Sequence, residues 1–186
     1  MAHWHRRRSF DHGPQPTVAE PRPVLLAHAL TFVRAAIACP GVRRVALVGS
    51  MTTPKPIPKD IDLLVSVAES VDLPTLALAG RRLKGGCNSI NLGADIFLCT
   101  EDHRYLGRIC PHRECHFRAS CEAFSCGVTQ HLRDDLDQMT LKPDLIRNPP
   151  FVLWPEIRRS KTAPEDVEAL LLRPLEAESK ARPTGV

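Results

Sequence analysis

Leu47 to Val65 reads LVGSMTTPKPIPKDIDLLV, and this stretch restricts the fold more than any other. An apolar run ends in Gly49-Ser50, nine residues rich in Pro and Lys come next, and a second apolar run opens on Asp60 and Asp62. Residues two apart in a strand share a face. The two carboxylates therefore project together, roughly 6.6 Å apart along the backbone at about 3.3 Å per residue. Beside Leu63-Leu64-Val65 such a pair needs protons or a cation to be tolerated.

Asp95, in GADIFL, is a third acid at the start of an apolar strand. Placed next to Asp60 and Asp62 it would bring three negative charges to one spot. A divalent ion relieves that repulsion, and Mg²⁺ accepts carboxylate, water and phosphate oxygens together. Gly49, without a Cβ, lets the backbone approach a ligand closely. Ser50 offers a hydroxyl and an N–H to a phosphate oxygen, and Lys55 and Lys59 place ammonium charge in the connecting loop. Taken singly these residues have ordinary explanations: Asp60 as a turn residue, Asp62 as an exposed position, Asp95 as a strand-end acid. Their joint occurrence with Gly-Ser favours a metal site.

The set VGS, nine residues, DIDLLV and a later Ala94-Asp95-Ile96 resembles the signature of the polymerase-β-like nucleotidyltransferases, over about residues 23–100. The resemblance implies an α+β fold, a mixed β-sheet packed against helices. It also implies roles. Asp60 and Asp62 would hold two Mg²⁺ ions with a nucleoside triphosphate, and Gly49 and Ser50 the outgoing phosphates. Asp95 would complete the metal site nearest the attacking hydroxyl and help to deprotonate it. The activity implied is transfer of a nucleoside monophosphate to a hydroxyl of a protein, RNA or small molecule. Members of that family commonly begin a helix directly after Gly-Ser. Here Pro54, Pro56 and Pro58 oppose a helix, so an extended loop is expected, with lysine charge in place of the helix end. That departure favours an alternative, a non-catalytic nucleotide-binding or antitoxin-like module on the same fold.

Seven cysteines raise the question of redox compartment. Cys39, Cys87 and Cys99 sit among apolar residues, as buried thiols do. Cys110, Cys115, Cys121 and Cys126 are separated by four, five and four residues, a spacing compatible with a compact structural zinc site. His112 and His116 are rival ligands, and reduced thiols without metal are the plain alternative. An odd cysteine count favours a reducing compartment; with no apolar segment after Arg6-Arg7-Arg8, a cytoplasmic location is expected. A net charge of +4 permits an anionic partner without requiring one. A zinc-dependent nucleic-acid binder centred on the cysteine block is therefore a further alternative, and a protein partner or homo-oligomer is a further expectation.

Composition shifts divide the chain into a mobile basic tail (1–20), a nucleotidyltransferase-like core (21–100), a Cys/His-rich segment (101–128) and a C-terminal helical or irregular extension (129–186). Within the core the pattern predicts helix, strand, strand, helix, strand. The first helix opens near Pro23 and stops at Cys39-Pro40-Gly41. RRVALVG and DIDLLVSV are strands. The second helix runs from Pro74 to a stop at Gly85-Gly86, and GADIFLCT is a third strand, with NSIN as a possible partner. Beyond Thr100, a short acidic helix is expected from Thr129, with Asp134, Asp135 and Asp137 on its exposed face. RNPPFVLWP should be extended or irregular, and a last helix should start near Pro164 and kink or end at Pro174.

Overall fold

A computed structural model describes residues 20–112, 129–133 and 139–181. Helix α1 (Pro21–Ile37) leads into β1 (Val42–Val48), which pairs antiparallel with β2 (Asp60–Val67). Helix α2 (Leu73–Asn88) crosses over to β3 (Gly93–Thr100), parallel to β2. β4 (Tyr105–Ile109) and β5 (Leu132–Arg133) extend one side of the sheet. Helix α3 (Pro143–Arg147) precedes β6 (Phe151–Trp154) and β7 (Arg158–Arg159), which extend the other. The result is an α+β structure with a mixed seven-stranded sheet, ordered β5-β4-β3-β2-β1-β6-β7.

Strand alternation divides the buried residues between two faces. Leu47, Ile61, Leu63, Val65, Ile96 and Leu98 form the main core with Leu25, Leu26, Phe32 and Val33 of α1 and Leu76 and Leu83 of α2. Complete burial of a leucine such as Leu25 or Leu26 contributes about 1.5–3 kcal/mol. The other face carries a smaller cluster, Ala46, Val48, Leu64, Phe97 and Cys99, covered by Ile146 of α3. Asp60, Asp62 and Asp95 alternate with main-core residues and so belong to this second, less covered face.

The strands of the core match their expected spans, and several other expectations are corrected. Gly85-Gly86 does not stop α2, which continues to Asn88. A Cβ at Gly86 would fall 2.5–2.9 Å from the His28 imidazole, so this glycine serves the packing of α2 against α1. NSIN forms the end of α2 and the turn after it, because the edge of β3 is already taken by β2 and β4. From Thr129 the chain makes a turn and then the strand β5, not the start of a helix; Leu132 pairs with Ile109. Asp134, Asp135 and Asp137 lie outside the described residues. Pro174 does not end the last helix. Glu165–Val167 (α4) passes through a π-helical turn at Glu168–Leu172 into Arg173–Ala181 (α5). Widening the turn before a proline relieves the clash that Pro makes with the preceding carbonyls.

Arg22 ties the two chain ends of the fold together. It is 9% exposed and pairs with Asp166 through Nε at 2.6 Å, while its Nη atoms donate to the carbonyls of Thr53, Lys55 and Met51. Burial alone would raise the Asp166 carboxyl, but the hydrogen bond and charge of Arg22 outweigh it and hold that group below its ordinary value. Removing one partner of a buried pair leaves the other uncompensated, at about 3–5 kcal/mol. Arg22→Ala should therefore cost about 3 kcal/mol in urea denaturation. A loss below about 0.5 kcal/mol would show that the clamp is dispensable.

Candidate functional site

In the register of β2 and β3, Asp62 stands beside Asp95 and Asp60 beside Gly93. Adjacent strands lie about 4.8 Å apart, so all three acids project from one corner of the less covered face. Asp62 carries the electrostatic consequence. Its carboxyl is pushed from 3.8 up to about 7, first by burial, then by the charges of Asp60 and Asp95, with Arg108 pulling weakly the other way. Among the described residues, no Lys, Arg or His forms an ion pair with Asp60 or Asp62.

Asp95 is different. Its Oδ2 lies 3.2 Å from Nη1 of Arg108, on β4, and its Oδ1 lies 3.6 Å from Nζ of Lys84, on α2. Both oxygens are thus turned toward cations. Among the described residues, no group of three or more His, Cys, Asp or Glu side chains is arranged to hold a metal ion. The trio shares a face and a corner, and among the described residues Asp60 and Asp62 are the two of the three without an ion-pair partner.

Gly49, at the end of β1, packs directly on Asp62. A Cβ built there would lie 2.8 Å from Cγ of Asp62, and its φ of 69° with ψ −155° is a conformation open essentially to glycine alone. The chain then forms a single 3₁₀ turn, Ser50–Thr52, with the hydroxyls of Thr52 and Thr53 donating to the carbonyls of Gly49 and Ser50. The extended loop expected directly after Gly-Ser thus begins with a 3₁₀ turn instead, and the three alternating prolines that follow keep this turn from propagating. Ser50 Oγ is buried with no hydrogen-bond partner among the described residues. A buried hydroxyl left unsatisfied is costly and suits a ligand acceptor or donor. Lys55 and Lys59 are exposed in the loop that Arg22 anchors.

Family models, curated proteins and solved structures were all compared with the chain. None matches.

Arg108, Lys84 and Arg22 were not singled out by sequence. A cation inside the short apolar run YLGRI was the available signal for Arg108, but its meaning depends on β4 lying next to Asp95. Lys161, which donates to Thr52 Oγ1 at 3.1 Å, carried no signal at all. Of the expected zinc ligands, Cys110 is a buried free thiol and His112 is exposed. Cys115, Cys121, Cys126 and His116 lie outside the described residues. No helix among the described residues is long and apolar enough to cross a membrane. A cavity of about 920 Å³ opens at the other end of β2 and β3, lined in part by Val67, Thr100 and Leu132, and has no contact with the acids.

Proposed function

We propose that this chain is a Mg²⁺-dependent nucleotidyltransferase, moving a nucleoside monophosphate from a triphosphate to an acceptor hydroxyl. The observation that carries this reading is the Asp60–Asp62 pair, without an ion-pair partner among the described residues, beside Asp95 in register and under the Gly49-Ser50 turn. Hard carboxylate oxygens gathered without an ion-pair partner are the donor set that Mg²⁺ takes, and the Asp62 carboxyl is raised by burial first and by the charges of Asp60 and Asp95 next. Asp60 and Asp62 would hold the metal, which when bound supplies charge neutralisation at the transferring phosphoryl group.

The chain's own groups do the rest. The Gly49 and Ser50 N–H groups and the Ser50 hydroxyl bind oxygens of the leaving phosphates, and Lys55 and Lys59, exposed in the loop that follows, are its candidate sources of further positive charge. The acceptor oxygen attacks the α-phosphorus, the bond from that phosphorus to the β-phosphate oxygen breaks, and pyrophosphate leaves. The acceptor proton passes to Asp95. For that, Asp95 must release Arg108, and an incoming triphosphate offers Arg108 a new partner. Positioning and charge placement account for most of the acceleration in such chemistry.

The Asp95–Arg108 pair also favours a second reading, nucleotide binding without turnover, in which Arg108 never leaves. One experiment separates the two. Protein incubated with each α-labelled ribonucleoside triphosphate and Mg²⁺ should release pyrophosphate and transfer label to a component of a lysate, and Asp60→Asn should abolish both. Saturable nucleotide binding with no pyrophosphate, in the wild type, would establish the second reading instead. Full activity in Asp60→Asn would remove Asp60 from the machinery.

A further inference from the structure

A second charged feature lies on the same sheet face, away from the acids. A cavity of about 280 Å³ is lined by Arg44, Arg147, Asn148, Arg158, Arg159 and Ser160, among others. Arginines from three elements, β1, α3 and β7, contribute to that lining, and Arg158 and Arg159, neighbours in β7, direct their side chains to opposite faces. Their charges are not equally compensated. Arg159 is held by Glu168 and Glu176, each at 2.8 Å. Arg44 donates to Ser66 Oγ and to the carbonyls of Ile146 and Arg147, with no carboxylate partner among the described residues. These bonds fix the end of α3 and so the place of Arg147. Arg147 is exposed and makes no ion pair among the described residues. Arg158 meets Glu156 at 3.3 Å with both side chains more than 70% exposed, a pair worth little in water.

Sheet register relates this pocket to the acids. Arg158 stands opposite Val152, Val152 opposite Ala46, and Ala46 opposite Leu64, two residues from Asp62 on the same face. Arg44 stands opposite Ser66, four residues from Asp62, or about 13 Å along the strand. Arginine forks match phosphate oxygens bidentately. With adjacent strands about 4.8 Å apart, Arg44 and Arg158 stand roughly 16 and 20 Å from Asp95 across the sheet, so a phosphate in the pocket and a hydroxyl at Asp95 would be separated by up to about six nucleotide steps, at roughly 3.4 Å or more each.

We infer that the Arg44–Arg147–Arg158 pocket is a phosphate-binding subsite for the backbone of a polynucleotide acceptor. This rests on the transferase reading above, because that reading places the acceptor hydroxyl at the acids. The two ideas are tested apart by measuring binding without turnover.

The probe is a fluorescein-labelled single-stranded oligoribonucleotide of ten uridines, followed by anisotropy at several salt concentrations. In the variant Arg147→Glu/Arg158→Glu, affinity should fall at least about tenfold, and the salt slope should shrink by about 1.4, the value for two phosphate contacts on a single strand. Arg82→Glu/Lys180→Glu makes the same change in net charge elsewhere and should leave binding within about twofold of wild type. The milder Arg158→Ala, with a wild-type melting curve, should lose about threefold. Asp60→Asn should bind the oligonucleotide as tightly as wild type, even where it abolishes transfer. No binding by the wild type, or equal loss in the Arg82/Lys180 control, overturns the subsite. If oligonucleotide affinity is unchanged in Arg147→Glu/Arg158→Glu while stabilisation by inorganic phosphate disappears, the pocket takes the free anion, and the polynucleotide assignment falls. Transfer that survives in Asp60→Asn would sink the transferase reading but leave the measured pocket standing.

Discussion

Asp62→Asn should make the metal-free protein more stable while eliminating transfer. In the folded chain the Asp62 carboxyl is raised from 3.8 to about 7, by burial first and by Asp60 and Asp95 next. The sign comes from proton binding. Below about pH 4 the group is protonated in both states and has no effect. Between about pH 4 and 7 the unfolded chain gives up the proton while the folded chain keeps it, so stability falls as pH rises. Above about pH 7 the loss is complete, with a ceiling of about 4 kcal/mol at roughly 1.4 kcal/mol for each pH unit. Asparagine keeps the shape and never ionises. At pH 8 the variant should gain about 2–4 kcal/mol, or on the order of 5–10 °C in Tm for a chain of this size. At pH 4 the two proteins should melt together. Mg²⁺ should raise the wild-type Tm at pH 8 and leave that of the variant unchanged. Transfer should drop by roughly 10³-fold or more, about 4 kcal/mol of barrier. Calorimetry across pH with and without Mg²⁺ checks each part. A wild-type protein whose stability rises from pH 4 to 7 at the same rate as the variant's would refute the picture of crowded charge.

The second large effect is expected at Gly49→Ala. An added Cβ must displace the Asp62 carboxylate, since it would lie 2.8 Å from Cγ and 3.0 Å from Cβ of that residue. It also forces an L side chain into φ 69°, ψ −155°, at about 1–3 kcal/mol. Transfer should fall about 10²- to 10³-fold, and stability by about 2–4 kcal/mol in urea denaturation. Gly85→Ala is the matched control. It lies in α2 with nothing within 4 Å of the added methyl, so it should stabilise by about 0.5–1 kcal/mol. Full activity in Gly49→Ala would mean that the turn does not position Asp62.

These two residues also show what kind of information a sequence holds. Periodicity of two placed Asp60 and Asp62 on one side of β2, and the apolar runs gave β1, β2 and β3 nearly residue for residue. The spans were legible because strand and helix periods are local properties of the backbone. The chain beyond Thr100 was less legible. β4 and β5 are short and only partly apolar, and they are strands because β3 offers an unpaired edge. The turn at Thr129 likewise leads into β5 because β4 offers it an edge.

The chain by itself determined that three acids sit in strands near a Gly-Ser turn, and that the prolines keep a helix from forming after it. Only the tertiary structure decided their charge states and partners. Parallel pairing of β2 with β3 put Asp95 beside Asp62, while β4 and α2 delivered Arg108 and Lys84 as ion-pair partners of Asp95, with Arg108 also drawing on the Asp62 carboxyl. Coulomb interactions depend on distance through space, and the distances that matter here join residues far apart along the chain.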